Sequence, residues 1–261
     1  MNIAEKLTTI AENEQKIYDK GYLEGDNDGY MTGKEQGRSE GYSQGESDFW
    51  DKVQNYGKRT HYDSAFYRWN SEYIRPKYKV EPTGRTFAMF SRNAALKKVE
   101  KEYFDLSGYK PNASASSTDS NYNLFYNCID LEVVEDIGIQ GGGYYYTYGY
   151  CENLHTVEVM RCVANGTYNA PFSKCSSLVN LIIDGEIGKN FSIYYSPLST
   201  ASIVSIIEHL SDTQGETLTL NKNAVNNMVF PYTSPYTNIT YSSWDELIAT
   251  KTNWTISTTT P

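Results

Sequence analysis

The sequence lacks any run of about 18 apolar residues, which is the least that a transmembrane helix needs. Its opening, MNIAEKLTTIAENEQ, also lacks the basic, apolar and small-residue sections of a secretory signal. We therefore expect no membrane insertion, and synthesis in a cytoplasm.

Basic residues are few compared with acidic ones. The chain has 23 Lys and Arg against 32 Asp and Glu, which gives a net charge of −9. Most nucleic-acid affinity comes from cations that contact phosphates. The composition therefore predicts that nucleic acid is not a partner.

Histidine is scarce, and this bears on catalysis. The three histidines, His61, His155 and His209, have no serine, cysteine or carboxylate at the spacing of a triad or a metal motif. The glycines of GIQGGG at 138–143 precede tyrosines rather than a helix start, so they do not indicate a phosphate-binding loop. We expect no enzyme activity, no catalytic residues, no cofactor and no metal site.

Three of the four cysteines recur in one sequence frame. FYNCIDLEVV at 125–134, YGYCENLHTV at 148–157 and FSKCSSLVNL at 172–181 share an aromatic residue, a cysteine, a leucine and an aliphatic residue at successive third positions. A further copy, FSRNAALKKV at 90–99, has asparagine in place of the cysteine. Cys128, Cys151 and Cys175 are 23 and 24 residues apart, which indicates a short structural repeat.

Repeats of this length, with one β segment each, form units that cover the apolar edges of their neighbours. We therefore predict an α/β repeat fold, a solenoid over 90–198. Cys128, Cys151 and Cys175 are then expected as buried free thiols at equivalent positions, because one thiol per unit does not build a tetrahedral cage. A disulfide ladder and a metal site are the alternatives.

The frame F-x-x-C-x-x-L-x-x-V resembles the leucine-rich repeats of the bacterial surface-antigen type, over residues 90 to about 200. The segments MNIAEKLTTIAENEQKIYDKG and FWDKVQNYGKRTHYDSAF are similar to those of uncharacterised repeat proteins of Firmicutes phages and prophages. The resemblance implies a leucine-rich-repeat solenoid in an adhesin, a secreted surface protein or a virion component. Asn93 and Tyr148 depart from the frame.

Residues 1–48 differ in composition from the repeats. Ile3, Leu7, Ile10 and Ile17 have the spacing of one helical face. Glycine then occupies every fourth position, at Gly21, Gly25, Gly29, Gly33, Gly37, Gly41 and Gly45. Because each glycine would destabilise an isolated helix by about 1 kcal/mol, a helix here needs a closely packed partner. We predict a helical stalk for oligomerisation or attachment, hence a homo-oligomer such as a trimer; a flexible acidic linker is the alternative.

Two further regions flank the repeats. Residues 49–89 are rich in aromatic residues and are predicted to form a collar that caps the first repeat, or alternatively a ligand surface. Residues 199–261 are predicted to form a C-terminal α+β cap. There the spacing of Ile203, Ile206 and Ile207 predicts a helix with Ser199 or Thr200 as its N-cap, ETLTLNKNAV predicts a strand, and SSWDELIATKTNWTIS predicts a short helix and a final strand.

The best candidate binding site is GGGYYYTYGY at 141–150. Its tyrosines cannot all face the core, because consecutive side chains point in different directions, and the glycines would let the backbone loop outward. We predict a ligand-binding patch of Tyr144, Tyr145, Tyr146, Tyr148 and Tyr150, extended by Tyr168, Tyr194 and Tyr195. Packing of these rings in the repeat corners is the alternative.

The functional expectation is a bacteriophage virion structural protein, tail-associated, that presents the repeats to a host cell-surface receptor. The partners would be a host surface glycan or protein and other virion proteins, and the protein would be located in the virion, after assembly in the bacterial cytoplasm. The alternative is a bacterial surface or secreted leucine-rich-repeat adhesin at the cell surface. The missing export signal favours the first.

Overall fold

A computed structural model describes residues 65–76, 78–112 and 121–261. The predicted stalk at 1–48, with its seven glycines, and the part of the predicted collar up to residue 64 lie outside the described residues. Those expectations stay predictions. Within the described ranges, no helix is long and apolar enough to cross a membrane.

The repeated segments contribute neighbouring strands to one parallel sheet. The strands before the C-terminal region are β1 (Lys98–Val99), β2 (Val133–Val134), β3 (Tyr144–Tyr145), β4 (Thr156–Cys162), β5 (Tyr168–Asn169) and β6 (Asn180–Gly185). The sheet has the order β1-β2-β4-β6, and β3 pairs with β5 in a second small parallel sheet. Val134 is in register with Val99 on one side and Val157 on the other, so the aliphatic positions of the sequence frame are direct neighbours.

The last third of the chain mixes short helices and strands. Its elements are β7 (Phe191–Ser192), α1 (Thr200–Glu208), β8 (Thr217–Asn221), α2 (Lys222–Asn226), β9 (Tyr232–Thr233), β10 (Thr240–Tyr241), α3 (Trp244–Ala249) and β11 (Thr255–Thr259). Strands β11, β8 and β7 form a parallel sheet in that order, and β9 pairs with β10 antiparallel. The two predicted helices and the final strand are confirmed, with Ser199 and Ser243 as the N-caps of α1 and α3. The strand predicted for ETLTLNKNAV is confirmed only over Thr217–Asn221, because the side chain of Asn221 caps helix α2, which takes up the rest of the segment.

Helix α1 covers the open edge of β6. The hydroxyl of Ser202 accepts a hydrogen bond from the backbone N–H of Leu181 at 2.9 Å, and that of Ser205 accepts one from Ile183 at 3.0 Å. Serine inside a helix is usually neutral or unfavourable for stability. These two serines are buried because their hydroxyls replace the carbonyl oxygens of a further strand and satisfy the edge of the sheet.

The predicted fold class, an α/β leucine-rich-repeat solenoid between a helical stalk and a C-terminal α+β cap, is wrong. The described residues form mostly small sheets, parallel and antiparallel, and only 11% of them are helical. All helices of the described part follow residue 199, so none lies within the repeats. The repeated segments form strands and turns, and an α/β architecture needs a helix in every unit.

The backbone around the aromatic residue of each frame copy explains why the described repeats contain no helix. Around Phe66 and the four aromatic residues of the frame, the described residues two positions before and two positions after the ring have φ between 47° and 63°. They are Arg68, Ala88, Arg92, Asn123, Asn127, Tyr146, Tyr150, Ala170 and Lys174. A right-handed helix requires negative φ at every residue. Each ring is therefore held in a tight turn, and no helix can form across it.

The aromatic residues of the four frame copies form a continuous column in the core together with Phe66, which precedes them in the chain. Phe66, Phe90, Phe125, Tyr148 and Phe172 stack in this order, with centroid separations of 5.4, 5.1, 5.3 and 4.9 Å and interplanar angles of 17° or less. All five rings are buried. Offset stacking of this kind adds to the stabilisation that burial of the rings provides.

The cysteines of the frame are buried free thiols, as predicted, and they occupy equivalent positions. Cys128, Cys151 and Cys175 donate through Sγ to the carbonyl oxygens of Phe90, Phe125 and Tyr148, each at 3.0 Å. Each thiol therefore links its own turn to the ring-bearing residue of the preceding copy. Burial raises the pKa of Cys151 and Cys175, which keeps these two thiols protonated as donors.

Candidate functional site

The turns that hold the aromatic column lie one upon another in register. The backbone N–H of Arg92 donates to the carbonyl oxygen of Tyr126 at 2.7 Å, that of Asn127 to Gly149 at 2.8 Å, and that of Tyr150 to Ser173 at 2.7 Å. Residues at the same offset from the ring therefore form columns on the surface. We call this face the turn surface and define it by Tyr67, Arg68, Phe87, Arg92, Tyr122, Tyr126, Asn127, Tyr145, Tyr146, Tyr150, Lys174, Tyr194 and Tyr195.

Two of the predicted ligand-binding tyrosines belong to the core. Tyr144 and Tyr148 are both 0% exposed, and the hydroxyl of Tyr144 donates to the carbonyl oxygen of Arg161 at 2.6 Å. Tyr148 occupies the ring position of its repeat, where the other copies have phenylalanine. Such buried side chains cannot contact a ligand on the surface, so the prediction is wrong for these two residues.

The other three tyrosines lie together on the turn surface. Tyr145 and Tyr146 are half-buried and their rings contact each other, while Tyr150 is 37% exposed. The ring of Tyr126 joins this patch, because it makes edge contacts with Tyr146 at 6.1 Å and with Tyr150 at 5.4 Å. The tyrosine patch is therefore continuous across neighbouring repeats.

The patch extends toward the first repeats, which the sequence analysis missed. Tyr145 stacks on Tyr122 at 4.6 Å and 8°, and Tyr122 stacks on Phe87 at 5.3 Å and 26°. These three residues precede the ring of their repeat by the same number of positions, and this shared offset was the available signal. Of the predicted extension, Tyr168 is buried, whereas Tyr194 and Tyr195 are half-buried and lie 4.2 Å apart.

The glycines before the patch do not let the backbone loop outward. A Cβ atom on Gly142 would lie 2.7 Å from Cγ of Pro111, and one on Gly141 would lie 2.8 Å from Cγ1 of Val163. Both separations are shorter than real Cβ contacts. The glycines therefore allow close packing against neighbouring segments, which holds the tyrosine turn against the body of the protein.

Three exposed cations follow the rings of their repeats by two positions. The guanidinium carbons of Arg68 and Arg92 lie 5.2 and 6.0 Å from the centroid of one ring, that of Tyr67. The ammonium of Lys174 lies 4.6 Å from the ring centroid of Tyr195. Two hydrogen bonds lower the pKa of the Tyr195 hydroxyl: the one with Tyr194 has the larger effect and the one with Lys174 the smaller. Cation–π contacts thus orient all three cations on the turn surface.

The segments that hold the rings carry no negative charge, whereas Asp130 and Glu152 lie in the turns that follow them. The segments 65–71, 86–93, 121–127, 143–150, 167–175 and 189–196 contain no Asp or Glu. The face that carries the sheet β1-β2-β4-β6 is called the sheet side. There, Lys98 pairs with Glu135 at 2.6 Å and Arg161 pairs with Asp136 at 2.6 Å. Within the described ranges, no carboxylate lies within ion-pair distance of Arg68, Arg92 or Lys174.

The cations near the first repeats border a groove of about 640 Å³. It is lined by Arg68, Asn70, Arg92, Tyr126 and Asn127. Its lining thus offers two guanidinium groups, two carboxamides and a phenol, a set rich in hydrogen-bond donors. An arrangement of this kind can bind an anion or a polar ring without any chemical step.

The part of the chain that the structure describes shows no cluster of side chains for metal binding. There, no three His, Cys, Asp or Glu side chains are placed to hold a metal ion. Nδ1 of His155 contacts Oγ1 of Thr156 at 3.0 Å, Nδ1 of His209 lies 2.7 Å from the carbonyl oxygen of Ser205, and His61 lies outside the described residues.

Comparison with known proteins assigns no family and no function to the chain. No protein-family model, no curated protein and no solved structure matches the chain. The function must therefore be argued from the turn surface and from the sequence.

Proposed function

We propose that this protein binds a receptor on a host-cell surface as a tail-associated structural component of a bacteriophage virion. The observation that carries the binding function is the turn surface, where tyrosines lie together with cations that form no ion pair with any described carboxylate, on a chain of net charge −9. Tyrosine and arginine are among the residues enriched in the hot spots of binding sites. The ligand would be a surface glycan or protein.

The side chains of the turn surface are held in place by the fold, and this order favours a role in binding. Tyr126 and Tyr150 belong to turns whose backbone hydrogen bonds connect consecutive repeats. Their rings are further held by edge contacts with each other at 5.4 Å. A ligand therefore meets side chains that are already ordered, and less conformational entropy is lost on binding.

The virion location rests on the resemblance of MNIAEKLTTIAENEQKIYDKG and FWDKVQNYGKRTHYDSAF to phage-borne repeat proteins. Under this proposal the other partners are virion proteins, and the protein is not an enzyme. A bacterial surface or secreted adhesin is the second candidate, since the same turn surface would serve it. Immunodetection separates the two: the protein is expected in purified phage particles, and detection only in the cell envelope would favour the adhesin.

We further propose that the glycine-spaced segment at 21–45 assembles identical chains. Several copies would raise the strength of attachment through effective concentration, even if each turn surface binds weakly. Replacement of Gly29 and Gly33 by leucine should reduce the mass of the full chain in light scattering, because larger side chains prevent close helix approach. An unchanged mass, or a monomeric wild type, would contradict oligomerisation through this segment.

The binding proposal is tested by substitutions that the repeats themselves supply. Tyr146 and Tyr150 have left-handed backbones, and the equivalent positions of the preceding repeat carry Asn123 and Asn127 with the same conformation. The double change Tyr146→Asn and Tyr150→Asn therefore removes two phenols without backbone strain. We expect attachment to host cells to fall about tenfold or more, since each aromatic contact at a binding centre contributes about 1 kcal/mol or more.

A matched control removes two phenols elsewhere. Tyr73 and Tyr236 are 42% and 40% exposed and lie outside the turn surface. The change Tyr73→Asn and Tyr236→Asn should leave attachment intact, and thermal unfolding should show that both double variants are folded. Equal attachment by the wild type and the Tyr146 and Tyr150 variant would overturn the assignment of the turn surface as the binding site.

A further inference from the structure

We propose that the turn surface binds an acidic polysaccharide, with its negative groups in the groove of Arg68 and Arg92 and its sugar rings on the tyrosines. The inference rests on the proposed function and names the chemical class of its ligand. It is carried by the groove, by the charge distribution around it and by the regular spacing of the turns.

The two arginines at the groove lack a counterion among the described residues. Both guanidinium groups lie within 6.0 Å of the Tyr67 ring centroid, which brings two like charges to one ring. Two positive charges that line one groove repel each other, and a bound anion would offset this repulsion. The structure pairs Arg75 with Glu100 and Arg161 with Asp136 on the sheet side, so arginines elsewhere do find partners. A bound carboxylate or phosphate would supply the missing partner through bidentate hydrogen bonds.

The column that contains these arginines is periodic, which suits a polymer. The residues two positions after the ring are, in order, Arg68, Arg92, Asn127, Tyr150 and Lys174. Neighbouring parallel segments lie about 4.8 Å apart, so roughly 14 Å separates Arg92 from Lys174. This span is longer than one sugar ring, and the two intermediate positions carry a carboxamide and a phenol. Charged groups at both ends of the column and neutral groups between them fit a chain of sugars with spaced negative charges.

A polysaccharide fits better than the two other common polyanions. Nucleic acid would require many phosphate contacts, but the turn surface offers three exposed cations on a chain of net charge −9. An extended peptide would bind as an added strand, and an acidic peptide that bound through its carboxylates alone would leave the tyrosines without a ring to contact. The backbone N–H groups of Arg68, Arg92, Asn127 and Tyr150 already donate to the next repeat, so these turns offer no free edge to a strand.

The test uses the full chain and Asn as the replacement, because Asn127 already occupies the equivalent position with φ of 60°. Binding of polygalacturonate, which carries carboxylates, and of phosphomannan, which carries phosphates, is measured by calorimetry, with dextran as the neutral polymer. For Arg68→Asn with Arg92→Asn, we expect binding of the preferred polymer to weaken about tenfold or more. The control, Lys101→Gln with Lys222→Gln, changes the net charge equally at exposed sites outside the turns and should bind as the wild type does.

The possible outcomes distinguish the polysaccharide inference from the receptor-binding proposal. Loss of acidic-polymer binding in the arginine variant alone supports the inference, and the better of the two polymers identifies the anionic group. Cell attachment without any affinity for either acidic polymer, or equal binding by the arginine variant, overturns the inference and leaves the receptor-binding proposal standing. Equal affinity for dextran, polyglutamate or a thymidine oligonucleotide overturns the polysaccharide assignment. Absence of both cell attachment and polymer binding overturns both proposals.

Discussion

Replacement of Tyr148 by phenylalanine should stabilise the protein. The Tyr148 ring lies between those of Phe125 and Phe172, at 5.3 and 4.9 Å, and is 0% exposed. Its hydroxyl has no hydrogen-bond partner among the described residues. Burial raises the pKa of this hydroxyl, so it stays protonated and uncharged at any physiological pH.

The expected magnitude follows from the cost of a buried polar group without a partner. Such a group costs about 1 to 3 kcal/mol, and phenylalanine removes it while keeping the stacked ring. The void left by one oxygen atom offsets part of this gain. We therefore expect the free energy of unfolding to rise by about 1 kcal/mol, which corresponds to an increase of roughly 2 to 4 °C in Tm for a domain of this size.

Tyr144 provides the matched control, because it is equally buried but its hydroxyl donates to the carbonyl oxygen of Arg161 at 2.6 Å. Tyr144→Phe removes this hydrogen bond and should lower the free energy of unfolding by about 1 kcal/mol. Both variants are compared with the wild type by urea denaturation and by thermal unfolding. A Tyr148→Phe variant that is less stable than the wild type, or shifts of the same sign in both variants, would refute the reasoning.

Three further predictions concern the core and the sheet side. The four thiols should react with a thiol reagent only after the protein unfolds; they are Cys128, Cys151, Cys162 and Cys175. All four are buried, and burial raises the pKa of Cys162 to about 12. Rapid reaction of the native protein would contradict this prediction. The hydrogen bond from Arg161 lowers the pKa of Asp136 below its value in the unfolded chain. The stability that this pair contributes is therefore present above about pH 4 and is lost as the pH falls through the lower folded pKa. The variant Asp136→Asn should show a shallower acid dependence of Tm between pH 6 and 2, and an unchanged dependence would exclude the pair as its source. Gly188→Ala should destabilise by about 2 kcal/mol or more in urea denaturation, because its Cβ would overlap the carbonyl oxygen of Ala164, and a neutral effect would contradict this close contact.

The candidate site could be predicted only in part. The sequence located the tyrosine-rich turn, and Tyr145, Tyr146 and Tyr150 do lie on its surface. The alternation of side chains indicates that some tyrosines face inward, but which ones do so depends on the turn conformation. The left-handed residues at 146 and 150 are not glycines, so the sequence carries no strong signal for the turn that places Tyr148 in the core.

Sequence pattern alone indicated the repeat frame, the buried thiols and the two longer helices of the C-terminal region. The equivalence of Cys128, Cys151 and Cys175 follows from their spacing, and α1 follows from the apolar spacing after its N-cap Ser199. The frame itself is a pattern of about ten residues that recurs along the chain, and the helix depends on residues within a few positions of one another. Short-range hydrogen bonds and side-chain periodicity are sufficient to specify them.

Only the tertiary structure decided the fold class and the character of the surface. The repeats turn tightly around each ring and contain no helix in the described part, and the cations of the turns are separated from the carboxylates of the sheet side. Arg68, Arg92 and Lys174 are far apart in the sequence, and they share one face only because consecutive turns are joined by backbone hydrogen bonds. Such a surface is a property of how the repeats pack, because charge and shape at a binding site depend on distances in space and not on distances along the chain.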